Sequence, residues 1–273
     1  MSRTALRRTA SAAVLTLALF GFAACGGDDE SADDPAPETT SSASDEPTEE
    51  SSDEPTEETS DAAPTAGEEI DSSELIGIFA GAFEKATTAT FAMSTGGAAG
   101  YQATGKADFA TVPPAMHMTI EIDQLPEPIE LNIVDKTLYQ SSPGSGGKFT
   151  ATPLDDPSNP FADLSGQLDI RSQLDGMQEA ATAATYVGEE DGLKRYSLVV
   201  DTKVLLEGQG TDTNMLPQGS MPPTVAIDLW FDEDGYFRKM ETDLGDAGGS
   251  ITATYDNWGE PVDISAPPAS QIQ

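Results

Sequence analysis

From Phe91 onward the chain alternates apolar and polar residues, segment after segment. In "TATFAMST", Phe91 and Met93 alternate with small polar residues. In "GYQATGKADFA", Tyr101, Ala103, Ala107 and Phe109 alternate with Gln102, Thr104, Lys106 and Asp108. In "AMHMTIEI", Met116, Met118, Ile120 and Ile122 face away from His117, Thr119 and Glu121, and "PIELNIV" continues with Ile129, Leu131 and Ile133. A period of two is the pleat of a strand with one buried face and one wet face, the mark of antiparallel sheets. "KTLYQSS" and "GKFTAT" read as shorter strands, "ATYVGEEDGLKRYSLVVD" as a hairpin turning at Asp191-Gly192, and "TVAIDLWFDEDGYFRKMETDL" with "GGSITATYDNW" as three more strands, with a turn at Asp234-Gly235.

Helical periodicity appears in three places. "DSSELIGIFAGAFEKATTA" places Leu75, Ile78, Phe79, Ala82, Phe83 and Ala86 on one stripe, with Asp71 or Ser72 as cap and Glu74 in the first turn. "NPFADLSGQLDIRSQLDGMQEAATA" reads as one or two helices with Leu168, Leu174 and Met177 inward, and "TKVLLEG" as a short one. The expectation is an α+β domain: a meandering antiparallel sheet of about ten strands with helices against its apolar face. A sheet of that size must twist and curl, so the helices belong on the concave side.

Before the domain come two segments of different chemistry. Arg3, Arg7 and Arg8 precede an apolar or small run from Ala12 to Ala24. That run is shorter than the roughly 20 residues a spanning helix needs and fits a secretory signal. Phe22-Ala23-Ala24-Cys25 is similar to the bacterial lipobox, with Phe where Leu is usual. Cys25 is the only cysteine, so an intramolecular disulfide is excluded. A diacylglyceryl thioether at Cys25 would anchor the chain stably, since its two acyl chains hold where one is marginal.

Residues 26–69 hold 17 acidic and no basic residues and no aromatic one, with the near-repeats "SDEPTEES" and "SDEPTEET". Such a tract cannot bury enough apolar surface to order itself and reads as a tether with a reach of about 35–40 Å. The expected organisation is a signal at 1–24, a lipidated cysteine and acidic tether at 25–69, and a domain at 70–273. The net charge of −35 excludes nucleic acid as a partner and repels anionic headgroups.

Catalytic and metal chemistry have little to stand on. His117 is the single histidine and should point to solvent from its strand. No G-x-S-x-G elbow occurs, "GSGG" at Gly144 runs into Lys148 but lacks the leading Gly and the trailing Ser or Thr of a phosphate loop, and "DEDG" at Asp232 lacks the spaced ligands of a calcium loop. The expectation is no enzyme, no cofactor and no metal site. What remains is a greasy wall: Phe79, Phe83, Phe91, Met93, Met116, Met118, Ile120, Ile122, Ile129, Leu131, Ile133, Val225, Ile227, Leu229 and Phe231. Methionine suits adaptable apolar surfaces. The pattern alone is equally compatible with a packed core and with an open cavity.

Several stretches resemble the LppX/LprAFG lipoproteins of actinobacterial envelopes, which are related in architecture to LolA-type carriers. The resemblance rests on the lipobox at Cys25, the acidic tether, "FEKATTATF" from Phe83 to Phe91, "GEEDGLKRYSLVVD", "LWFDEDGYFRKM" and the ending "YDNWGEPVDISAP" from Tyr255. It spans about Glu74 to Pro267. It implies a half-barrel sheet with helices over the concave side, and an apolar cavity for acylated lipid of the glycolipid or triacylglycerol type. It further implies a lipid-anchored protein on the extracytoplasmic face of the cell membrane that helps carry lipid across the envelope, with a lipid transporter as partner. The alternative is a non-carrier module that docks on an envelope transporter or regulator, with Trp258 as an exposed aromatic in the contact. An envelope hydrolase would need a nucleophile and base that the chain does not offer.

Overall fold

The computed structural model describes residues 64–96, 100–156, 166, 168–208, 213, 221–245 and 249–273. Cys25, the signal segment and the tether up to residue 63 lie outside the described residues. The strands are β1 (Glu68–Ile70), β2 (Thr88–Thr95), β3 (Gln102–Asp108), β4 (Ala115–Glu121), β5 (Ile129–Val134), β6 (Thr137–Ser141), β7 (Phe149–Pro153), β8 (Ala181–Glu190), β9 (Leu193–Asp201), β10 (Thr224–Phe231), β11 (Phe237–Asp243) and β12 (Ser250–Asp256). The α-helices among the described residues are α1 (Ser72–Lys85), α2 (Ile170–Ala180) and α3 (Thr202–Gly208).

The twelve strands form one antiparallel sheet in the order β1-β8-β9-β10-β11-β12-β2-β3-β4-β5-β6-β7. Its two edges, β1 and β7, do not pair with each other, so the sheet is a curved, open half-barrel of the α+β class. The strands number twelve rather than about ten. No pattern announced β1, three residues whose Glu68 and Glu69 fall in the stretch read as tether. It forms because its register with Ala184–Tyr186 of β8 gives its backbone partners.

The inner face is continuous. Reading across the sheet, Tyr186, Tyr196, Leu229, Met240, Ala253, Met93, Ala103, Ile120 and Ile129 pair one with the next. Every member of this nine-strand row is buried. At 4.7–4.9 Å per strand the row is about 38 Å long around the curve. The parallel row Tyr255, Phe91, Gly105, Met118, Leu131 lies beside it. Inward side chains on β3 are small, and Gly105 explains why: a Cβ there would lie 2.4 Å from the His117 carbonyl and 2.5 Å from Phe91 Cζ.

Turns follow their residues. Asp191-Gly192 joins β8 and β9 with φ of 53° and 80°, the left-handed pair of a tight hairpin. Asp135-Lys136 does the same between β5 and β6, at 48° and 59°, without any glycine to advertise it. The Asp234-Gly235 turn is wider than a two-residue hairpin. The Asp232 amide donates to the Tyr236 carbonyl at 3.0 Å, and the register shifts opposite Trp230 and Phe231, with Arg238 of β11 as the extra residue of the bulge.

Asp71 is the cap of α1, accepting from the Ser73 amide at 2.7 Å. Helix α2 ends at Ala180, and "ATA" after it already belongs to β8, a shorter helix than its pattern suggested. Past β12 the chain runs extended to the far edge, where Ile272 bridges to Phe149 and the Gln273 amide donates to the Phe149 carbonyl at 3.0 Å.

Gly105→Ala is expected to cost about 1–3 kcal/mol, the range for forcing extra atoms into a filled core. A thermal melt unchanged from wild type would show that the Phe91 ring moves aside freely.

Candidate functional site: the covered inner wall

Helix α1 crosses the inner face because Phe79 and Phe83 point at it. The Phe79 ring lies 4.5 Å from Phe237 and 6.0 Å from Phe231, while Phe83 meets Phe109 at 5.1 Å and Trp258 at 5.4 Å. The contacts continue through Tyr196, Tyr186, Tyr255, Phe91 and Tyr236, so that eleven rings touch in one network. At the C-terminal end of α1 the Lys85 ammonium donates to the Asp234 carbonyl and sits 5.9 Å over the Tyr236 ring. Edge-to-face and offset rings add to burial alone, so this side of the wall is a fastened core.

The other side has no ring network among the described residues. Its inward residues are Met93, Ala103, Ala107, Met116, Met118, Ile120, Ile129, Leu131, Ile133 and Leu138 on β2 to β6. The wall therefore divides into an aromatic half under α1 and an aliphatic, methionine-rich half beyond it. Between them lies a cleft of about 20 Å³, lined by Phe91, Phe109, Pro114, Met116, Leu168, Ile170, Gln173 and Tyr255. That is room for about one water-sized group. In this closed arrangement the described residues leave no space there for an alkyl chain.

All fifteen residues singled out from the sequence belong to this one cluster. Phe79 and Phe83 come from α1, Phe91 and Met93 from β2, Met116, Met118 and Ile120 from β4, Ile129, Leu131 and Ile133 from β5, and Val225, Ile227, Leu229 and Phe231 from β10. Ile122 is the exception in depth: it follows the end of β4 and is half-buried. Missed from the sequence were Tyr255, Phe237 and Gln173. The first two obey the same alternation in β12 and β11, and only the helical pattern of α2 could have flagged the third.

Two residues sit differently from their expected places. Trp258 is half-buried in the ring network, its indole donating to the Phe237 carbonyl at 2.7 Å. The exposed aromatic that a docking module would offer there is thus packed inward. His117 does face the convex side, but it is half-buried and its Nδ1 lies 2.6 Å from Asn132 Oδ1 on the neighbouring strand. The "DEDG" stretch is a turn in which Asp232 accepts from the Tyr236 amide at 2.8 Å and from Arg238 Nε at 2.7 Å. Among the described residues no group of His, Cys, Asp or Glu could hold a metal, and no helix is long and apolar enough to cross a membrane.

Burial raises three phenols above their ordinary range: Tyr101, Tyr196 (burial first, then the proximity of Tyr186 and Glu74) and Tyr255. None carries charge at neutral pH, which suits a wall meant to stay apolar.

The fold is thus a half-barrel sheet whose concave face is roofed by helices. No protein-family profile and no curated protein matches the chain. Among solved structures, the lipoprotein LppX of Mycobacterium tuberculosis aligns with 71% of this chain and 100% of its own, at 16% identity and a TM-score of 0.49. A DUF1329 family protein from Desulfovibrio piger aligns over 70% and 92%, at 14% identity and 0.32. A domain from Vibrio parahaemolyticus assigned to outer membrane lipoprotein sorting aligns over 67% and 90%, at 10% identity and 0.25. Likenesses this distant carry no argument about family or ligand, and the functional reading rests on the wall itself.

Phe79→Ala is expected to destabilise by about 3–5 kcal/mol, whereas Met118→Leu stays within about 1.5 kcal/mol. Equal losses in denaturant titrations would abolish the distinction between the two halves. The tyrosines give a pH signature. Unfolded tyrosine titrates near about 10, and the folded protein holds those protons longer, so stability is intact below that pH and declines as pH rises above it. Urea midpoints flat up to about pH 11 would contradict the shifts.

Proposed function

We propose that the chain is a membrane-anchored lipoprotein whose domain, residues 70–273, takes up acylated lipid between its sheet and its helices and carries it through the cell envelope. The observation that supports this most is the nine-strand apolar row, about 38 Å long, whose aliphatic half is left out of the ring network that fastens α1. Each Å² of acyl chain taken out of water there is worth about 25 cal/mol.

Entry requires movement, and α2 is the element suited to it. It packs chiefly on α1 and α3 and meets the sheet at β9, with Leu174, Met177 and Ala180 as its buried residues. Ile170 and Gln173, in its first turns, form one side of the closed cleft. A shift of α2 would join that cleft to the space over Met116 and Met118. Unbranched methionines there repack around a chain at little cost.

Cys25 would carry the anchor on the extracytoplasmic face of the membrane. Residues 26–69 would let the domain work some tens of Å away, at about 5–6 Å × √n. The ligand class is acylated lipid of the glycolipid or triacylglycerol type, and release would fall to a transporter or to a concentration gradient.

Mass spectrometry of the protein purified from a lipid-rich actinobacterial host is expected to find bound acyl lipid. Met118→Trp with Leu131→Trp should abolish it while the far-ultraviolet circular dichroism stays native. Protein that carries no lipid, and takes up none from mixed micelles, would refute the carrier reading.

A further inference from the structure

Tyrosine hydroxyls are the polar groups that β8, β9 and β12 bring to the inner wall, and one of them, that of Tyr255, belongs to a residue lining the cleft. Tyr255 is 4% exposed and lines the cleft with Phe91, Met116, Ile170 and Gln173. Its ring is held on three sides, by Phe237 at 5.1 Å, Trp258 at 5.9 Å and Phe91 at 6.2 Å. Among the described residues no hydrogen bond to its hydroxyl is found, and burial raises its titration above the ordinary phenol range. Phenylalanine would fill the same space, and seven of the eleven rings in the network are already phenylalanine or tryptophan rather than tyrosine. The cleft beside Tyr255 has room for one small group, about 20 Å³.

We propose that Tyr255 is the polar anchor of the lipid site: its hydroxyl donates a hydrogen bond to the ester carbonyl of an acylated ligand. This rests on the lipid-binding reading and sharpens it. The acyl chain would run from the cleft over Met116 and Met118 into the aliphatic half, with the carbonyl held at the boundary with the aromatic half. The specificity that follows is for esters over plain hydrocarbon, because a hydrocarbon offers nothing to the hydroxyl. Gln173, on the same cleft but carried by α2, would meet the headgroup side of the ester as the helix moves.

The test compares the full mature chain with its Tyr255→Phe variant against two fluorescent probes, a pyrene-labelled triacylglycerol and a pyrene-labelled alkane without an ester. The expected result is a loss of roughly three- to tenfold in affinity for the triacylglycerol, the range for one hydrogen bond, and less than twofold for the alkane. The unliganded variant should melt at about the same temperature as wild type, because the ring and its contacts with Phe237, Trp258 and Phe91 are unchanged. Equal effects on the two probes, or none on either, would overturn the anchor while leaving the carrier reading intact. A marked fall in melting temperature would also overturn it, by showing that the hydroxyl serves the fold. Wild-type protein that binds neither probe would bring down the carrier reading and the anchor together.

Discussion

The contact between Phe79 and the facing rings of Phe231 and Phe237 is what the rest of the arrangement depends on. It fixes α1 over β10 and β11, and α1 in turn supports α2 and closes the aromatic half of the wall. An open sheet of twelve strands has no closure to hold its curve, so the covering layer supplies the second half of the core. Concentrating the rings on one side makes that side the anchor. The aliphatic side is then free to be adaptable, since methionine and isoleucine contacts lack the directional preferences of stacked rings.

The convex face follows a different logic. Trp230 alternates outward from β10, yet it is only 3% exposed. Arg195 lies 5.0 Å and Lys239 4.4 Å from its ring, and Arg195 also pairs with Asp228 at 2.7 Å and Glu190 at 3.3 Å. An outward tryptophan that would otherwise be a sticky patch is covered by the aliphatic stems of two cations. Those cations are in turn matched by acids of an acid-rich chain. The outer surface is thus kept wet and polar while the inner one is greasy.

Strand alternation was readable because a sheet with one wet face must write its geometry into every second residue. Phe91, Met93, Met118, Ile120 and Leu131 all declared themselves this way. Helix α1 was readable from its stripe and its Asp71 cap. What escaped had local reasons. Strand β1 is too short and acidic to show a period and exists only because β8 offers an edge. The Asp135-Lys136 turn bends without glycine. Ile122 keeps the alternation but falls beyond the end of its strand. Trp258 sits in a stretch without periodicity, so its burial depends on tertiary neighbours, Phe83 and Tyr255, that no local pattern announces. The place of Tyr255 at the cleft was invisible for a different reason: which residues line a cleft is a property of three-dimensional surroundings.

The two rims of the sheet are guarded by opposite parts of the polypeptide. Glu68–Ile70 lines one rim, and Ile272 with Gln273 touches Phe149 on the other. Unpaired strand borders invite sideways addition of foreign strands. Cleavage before Ile272 would bare the β7 backbone, and the first symptom would be self-association through that rim, with the inner wall itself untouched. A fusion partner attached there would have to respect the same latch, which makes the choice of tag a structural decision for this protein.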